Sequence, residues 1–168
     1  MPSPMLNQIA AHVRRLTLSV IHPLILALTL FLTSCAIPYN HAWNQAAATS
    51  STTAPTDLSG AWQGTWRSEG TGHHGKLRAI VSPDPDPKQP NAWTFRYHAT
   101  WAKFLSGGYK AHHIATPQPD QSYKISGEQN LGKLFGGIFK YDGNATSTHF
   151  KATYQSKADH GVFELTRP

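Results

Sequence analysis

The stretch NAWTFRYHATW, residues 91–101, alternates apolar and polar positions with a period of two. Trp93, Phe95, Tyr97, Ala99 and Trp101 fall on one face, and Thr94, Arg96, His98 and Thr100 on the other. Successive side chains of a strand point to opposite sides, so the pattern is that of a half-buried antiparallel strand rather than a helix of period 3.6. The alternation continues from Gly60 onward and divides into eight strands, near 60–67, 75–82, 91–101, 108–116, 121–128, 136–142, 146–155 and 161–167. Turn chemistry separates them in PDPDPKQP, TPQPD, DGN and SKADHG. Asp142 is expected to be the first residue of one such hairpin turn.

Eight consecutive short strands with no helix between them predict an all-β domain over 58–168, an eight-stranded antiparallel up-and-down β-barrel. Closure removes the exposed edge strands that an open sheet would carry. A two-sheet sandwich is the competing arrangement. Strand parity assigns Trp62, Trp66, Trp93, Phe95, Tyr97, Trp101, Phe150 and Tyr154 to the barrel interior. An eight-stranded barrel is just wide enough to be filled by side chains or to hold one small ligand, and both outcomes are compatible with these aromatics.

The front of the chain is built differently. Residues 1–15 contain Arg14 and Arg15 and no acid, 16–32 are almost wholly apolar, and Thr33, Ser34, Cys35 and Ala36 are small. A basic start, an apolar centre and a small-residue end make a secretion signal over 1–34. A spanning helix is the alternative, but the run is short for a bilayer and no positive cluster follows it. Cys35 is the only cysteine of the chain. Leu32-Thr33-Ser34-Cys35 resembles the lipobox of bacterial lipoproteins. That resemblance implies cleavage before Cys35, a diacylglycerol on its thiol and usually an acylated amino group, hence stable attachment to a membrane through more than one acyl chain. Ala rather than Asp at position 36 implies, by the same resemblance, the outer membrane of a Gram-negative envelope, facing the periplasm.

Removal of Arg14 and Arg15 with the leader takes the formal charge from +6 to +4. The remaining basic residues are dispersed, as on a solvated surface, and nucleic acid is not an expected partner. Residues 36–56, AIPYNHAWNQAAATSSTTAPT, hold no charge and no helical or strand period, so 35–57 is read as a lipidated cysteine with a flexible linker reaching about 25 Å.

Gly60-Ala61-Trp62 looks like the G-x-W that opens the first strand of the calycins, the lipocalin and avidin group, in which an arginine near the chain end often covers the tryptophan. Arg167 occupies the corresponding place here, because the start of the first strand lies beside the end of the eighth in a closed meander. The resemblance implies a Trp62–Arg167 contact and a lipocalin- or avidin-like barrel, without the C-terminal helix that lipocalins usually carry.

In a meander alternate connections fall at opposite ends. One end receives 83–90, 117–120 and 142–145; the other receives 68–74, 102–107, 129–135 and 156–160. The second set contains KFLSGGYK (103–110) and KLFGGIFK (133–140), which share a spacing of Lys, two large apolar residues, a Gly pair and Lys. Phe104, Leu105, Leu134 and Phe135 either fold back as a plug over the core or stand as a contact rim together with His73, His74 and His160. His73, His74, His160 and Asp159 are also the candidates for a metal, since imidazoles and a carboxylate suit zinc or copper. Their spacing matches no metal motif, and no metal or other cofactor is expected. His112 and His113 are neighbours on one strand, so their side chains diverge.

The sequence lacks a G-x-S-x-G elbow and an H-E-x-x-H helix, and its nine acidic residues lie mostly at turns. The chain therefore reads as a non-catalytic, lipid-anchored envelope protein whose barrel binds a small hydrophobic ligand or an envelope partner. The alternative is a structural or interaction module with a packed barrel and no ligand; a histidine-rich metal binder is the third reading.

Overall fold

The computed structural model describes residues 36–52, 55–84, 88–102, 105–133 and 136–168. The leader with Cys35, and Phe104, Leu134 and Phe135 of the expected rim, lie outside the described residues. Helix α1 (Ala36–Thr52) precedes eight strands: β1 (Gly60–Ser68), β2 (His74–Pro83), β3 (Ala92–Trp101), β4 (Leu105–Pro117), β5 (Tyr123–Asn130), β6 (Ile138–Ala145), β7 (His149–Gln155) and β8 (His160–Thr166). Each strand pairs antiparallel with the next, and β1 pairs with β8 from Gln63↔Thr166 to Ser68↔Gly161, so the sheet closes as an up-and-down barrel.

Three expectations are corrected. The flexible linker is replaced over most of its length by α1, whose residues from Ala42 onward belong to the same compact unit as the barrel. Four alanines between positions 42 and 48 favour helix without any amphipathic period. Trp43 fixes the segment: it is buried, its indole N–H donates to the carbonyl of Trp62 at 3.2 Å, and Arg78 lies 4.3 Å above its ring. Second, Asp142 does not open a turn. Strand β6 continues to Ala145, with Asp142 opposite Thr153, and the reversal falls at Thr146–Thr148. There the Thr146 hydroxyl accepts from the backbone N–H of Thr148 and of His149, a side-chain turn that needs no Asp-Gly. Third, the loop expected over 102–107 is shorter, because Leu105, Ser106 and Gly107 pair with Trp101, Thr100 and Ala99.

The interior has two halves. Towards the end that carries residues 88–91, 118–122 and 146–148, Trp62, Phe95, Ile125, Phe150 and Leu58 are fully buried or nearly so. The ring of Phe150 meets Trp62 edge-on at 6.3 Å and Phe95 at 5.4 Å. This end is closed by side chains at close packing. Outward positions carry Arg96, Lys110, Lys124, Lys140, Lys151 and Glu164, all exposed. A wall with this charge suits water rather than lipid.

Arg167 seals the closed end at the seam between the first and last strands. Its guanidinium lies 4.0 Å from the ring centre of Trp62, the contact expected from the sequence. It also donates to the carbonyls of Asp57, Ser59 and Ser147 at 2.7, 2.7 and 2.8 Å. Gly60 makes this possible. Its φ of +106° is open to glycine, and a side chain there would meet the Ser50 hydroxyl and the Arg167 guanidinium.

Candidate functional site

The other half of the barrel is hollow. A cavity of about 710 Å³ opens at the end carrying residues 69–73, 131–133, 136–137 and 156–159, which is within the size range of small-molecule sites. Strand parity builds its wall. Trp66 comes from β1, Leu77 from β2, Ala99 and Trp101 from β3, Tyr109 from β4, Phe139 and Tyr141 from β6, Tyr154 from β7 and Phe163 from β8. Gly107 and Gly108 leave the β4 side of the mouth without bulk. The Trp66 indole is held against the wall by donating to the carbonyl of Thr100 at 3.0 Å.

The aromatic surface carries few polar groups. The Tyr141 hydroxyl donates to that of Tyr109 at 3.4 Å. The Tyr154 hydroxyl donates to Asp159 Oδ2 at 3.1 Å, while Asp159 Oδ1 accepts from the Ser68 hydroxyl at 2.5 Å and the His160 backbone N–H at 2.8 Å. Burial pushes the phenols of Tyr97, Tyr109 and Tyr141 above their ordinary range, and burial followed by the Asp159 charge does the same for Tyr154. All four stay protonated at neutral pH; Tyr141 and Tyr154 donate their hydroxyl protons, and Tyr109 accepts one.

Beneath the cavity lies a buried histidine. His113 packs edge-on against Phe95 at 4.7 Å and Tyr141 at 4.8 Å, and its Nε2 shares a hydrogen bond with the Tyr97 hydroxyl at 3.1 Å. Nδ1 is buried with no hydrogen-bond partner among the described residues. Desolvation, and after it the neighbouring His112, hold the imidazole down to about pKa 3, so it is neutral. Gly127 on β5 faces it directly, and a methyl group there would collide with Nδ1.

The residues expected at the site divide between the two halves. Trp62, Phe95 and Phe150 lie in the packed half; Trp66, Trp101 and Tyr154 line the cavity; Tyr97 is buried in the core, and Trp93 packs against it half-buried. His73 stands at the cavity mouth, exposed; His74 and His160 are exposed on the same end, with His74 Nδ1 3.2 Å from the carbonyl of Gly72. Leu105 and Ile138, the first residues of β4 and β6, are 45% and 49% exposed at that end. Among the described residues no three His, Cys, Asp or Glu side chains gather in a geometry that would hold a metal ion.

Six residues of the wall and of the packing beneath it were not assigned to the site from the sequence: Leu77, Tyr109, Phe139, Tyr141, Phe163 and His113. The signal for two of them was present. Ala111 and Ala115 alternate with Tyr109 and His113 along β4, and that parity turns all four inward. No protein-family model matches the chain, and comparison with curated proteins and with solved structures gives no match either.

Proposed function

We propose that this protein is a lipid-anchored component of a bacterial envelope, held through Cys35, and that it binds a small hydrophobic ligand, without catalysis, in the open half of its barrel. The observation that carries the reading is the cavity of about 710 Å³ walled by aromatic side chains above a packed, sealed end. A barrel serving only as a structural module gains nothing from a hollow half, since unfilled apolar space costs stability. The lipid anchor rests on the leader and the Leu32-Thr33-Ser34-Cys35 sequence alone.

Two experiments test it. Mass spectrometry of small molecules extracted from protein purified from its native membrane should return a stoichiometric apolar compound that is missing from the Ala99→Phe variant. Cys35→Ser should leave an unprocessed precursor that takes up no labelled palmitate; unchanged size and labelling remove the anchor from the proposal.

A second reading, docking of an envelope protein on the rim, draws support from the exposure of Leu105 and Ile138. Large apolar side chains standing at one end of a small domain suit a contact surface. The two readings are compatible, because a rim partner and a cup ligand meet different residues.

A further inference from the structure

Charge is distributed unevenly between the outside of the barrel and its cup. The outer wall carries most of the lysines and arginines, yet among the described residues lining the cavity there is no lysine and no arginine. The one carboxylate among them is Asp159, and His73 stands at the exposed mouth. A fatty acid or another anionic amphiphile would bring its charge next to Asp159 with no fixed counter-charge in the described wall.

The same wall suits a positive charge. Indole and phenol faces attract cations through their quadrupoles, and Trp66, Trp101 and Tyr154 all line the cavity. Asp159 has capacity left. A carboxylate offers about four acceptor positions. Among the described residues, Oδ1 takes Ser68 and the His160 N–H, whereas Oδ2 takes only Tyr154. The less occupied oxygen is thus the one bonded to a cavity-wall residue.

From this juxtaposition, and resting on the reading of the barrel as a ligand cup, we infer that the cup selects an amphipathic organic cation: a flat apolar body seated among the aromatic walls, with an ammonium group beside Asp159.

Three probes with one ring system and three charges test this: 1-naphthylmethylammonium, 1-naphthalenemethanol and 1-naphthoate. Each is titrated by calorimetry into the full chain in a neutral detergent, with the detergent alone as the blank. The ammonium should bind at least tenfold tighter than the carboxylate, with the alcohol between them. Asp159→Asn should abolish the advantage of the ammonium over the alcohol while alcohol binding persists. The order of the three probes on the unaltered chain decides the matter even where that variant does not fold. Equal or tighter binding of the carboxylate overturns the inference and leaves the cup reading standing. Failure of all three to bind overturns both. Ammonium binding that survives Ala99→Phe unchanged also overturns it, because the cation is then held outside the cup.

Discussion

The guanidinium of Arg167 stacks 4.0 Å over Trp62 while donating to backbone carbonyls of Asp57, Ser59 and Ser147. One side chain just past β8 thereby fastens the segment leading into β1 and the β6–β7 turn. Arg167→Ala removes the stacking and strips partly buried carbonyls of their donor, and should cost about 2–3 kcal/mol in a urea or thermal unfolding curve. Arg167→Lys keeps the charge without the planar fork and should recover only part of the loss.

His113 gives the fold a pH dependence with a definite sign. Its folded pKa, about 3, lies below the ordinary value of 6.5, so between these limits the unfolded chain binds the proton and the folded chain does not. The stability associated with neutral His113 is fully present above pH 6.5 and is lost as pH falls towards 3, with a slope approaching about 1.4 kcal/mol per pH unit. Unfolding curves of His113→Phe should lack this component in that window, whatever the variant's stability at neutral pH. An unchanged slope would contradict a neutral, buried imidazole.

Ala99 borders the empty space, so a larger residue can enter it without displacing a packed neighbour. Ala99→Phe should reduce binding of apolar probes at least tenfold, and the melting temperature should hold or rise, since added apolar contact offsets the change. A large drop in melting temperature would mean that the cavity is too small to take the ring.

At the rim, Leu105→Ser and Ile138→Ser remove side chains that are about half exposed. Their effect on stability should stay within about 0.5 kcal/mol. Self-association measured by analytical ultracentrifugation, or capture of an envelope partner, should fall if these residues form a docking surface.

The barrel itself was legible because alternation is a one-dimensional record of a two-sided wall. NAWTFRYHATW needs no tertiary information to reveal β3, and turn residues marked most of the remaining boundaries. The Trp62–Arg167 pair was legible because the resemblance of Gly60-Ala61-Trp62 to the calycin opening implies such an arginine, and closure brings the first and last strands together. Other features required the third dimension. Gly143 reads as part of an Asp-Gly turn until its pairing with Ala152 shows it inside the ladder, the reversal being made by Thr146. Helix α1 was missed because an alanine-rich run without a polar and an apolar face looks like linker until Trp43 is seen buried. The hollow half was beyond reach, since parity says which side chains point inward but not whether they meet. Phe95 and Phe150 meet, whereas Trp66, Ala99 and Trp101 border open space.

The seam between β1 and β8 also sets a timetable. Gln63, near the start of the barrel, pairs with Thr166, the last residue of its final strand. Such a ladder joins the most distant parts of the domain, and loop-closure entropy must be met before any of its bonds form. Hairpins such as β3–β4 can assemble early and locally, whereas the cup has no closed wall until the last strand arrives. Folding should therefore be slow and end-loaded, with the closed cavity wall and the Arg167 clasp appearing together in the final step. A nascent chain still lacking β8 is an open sheet with two bare edges, which is the form most exposed to aggregation and proteolysis.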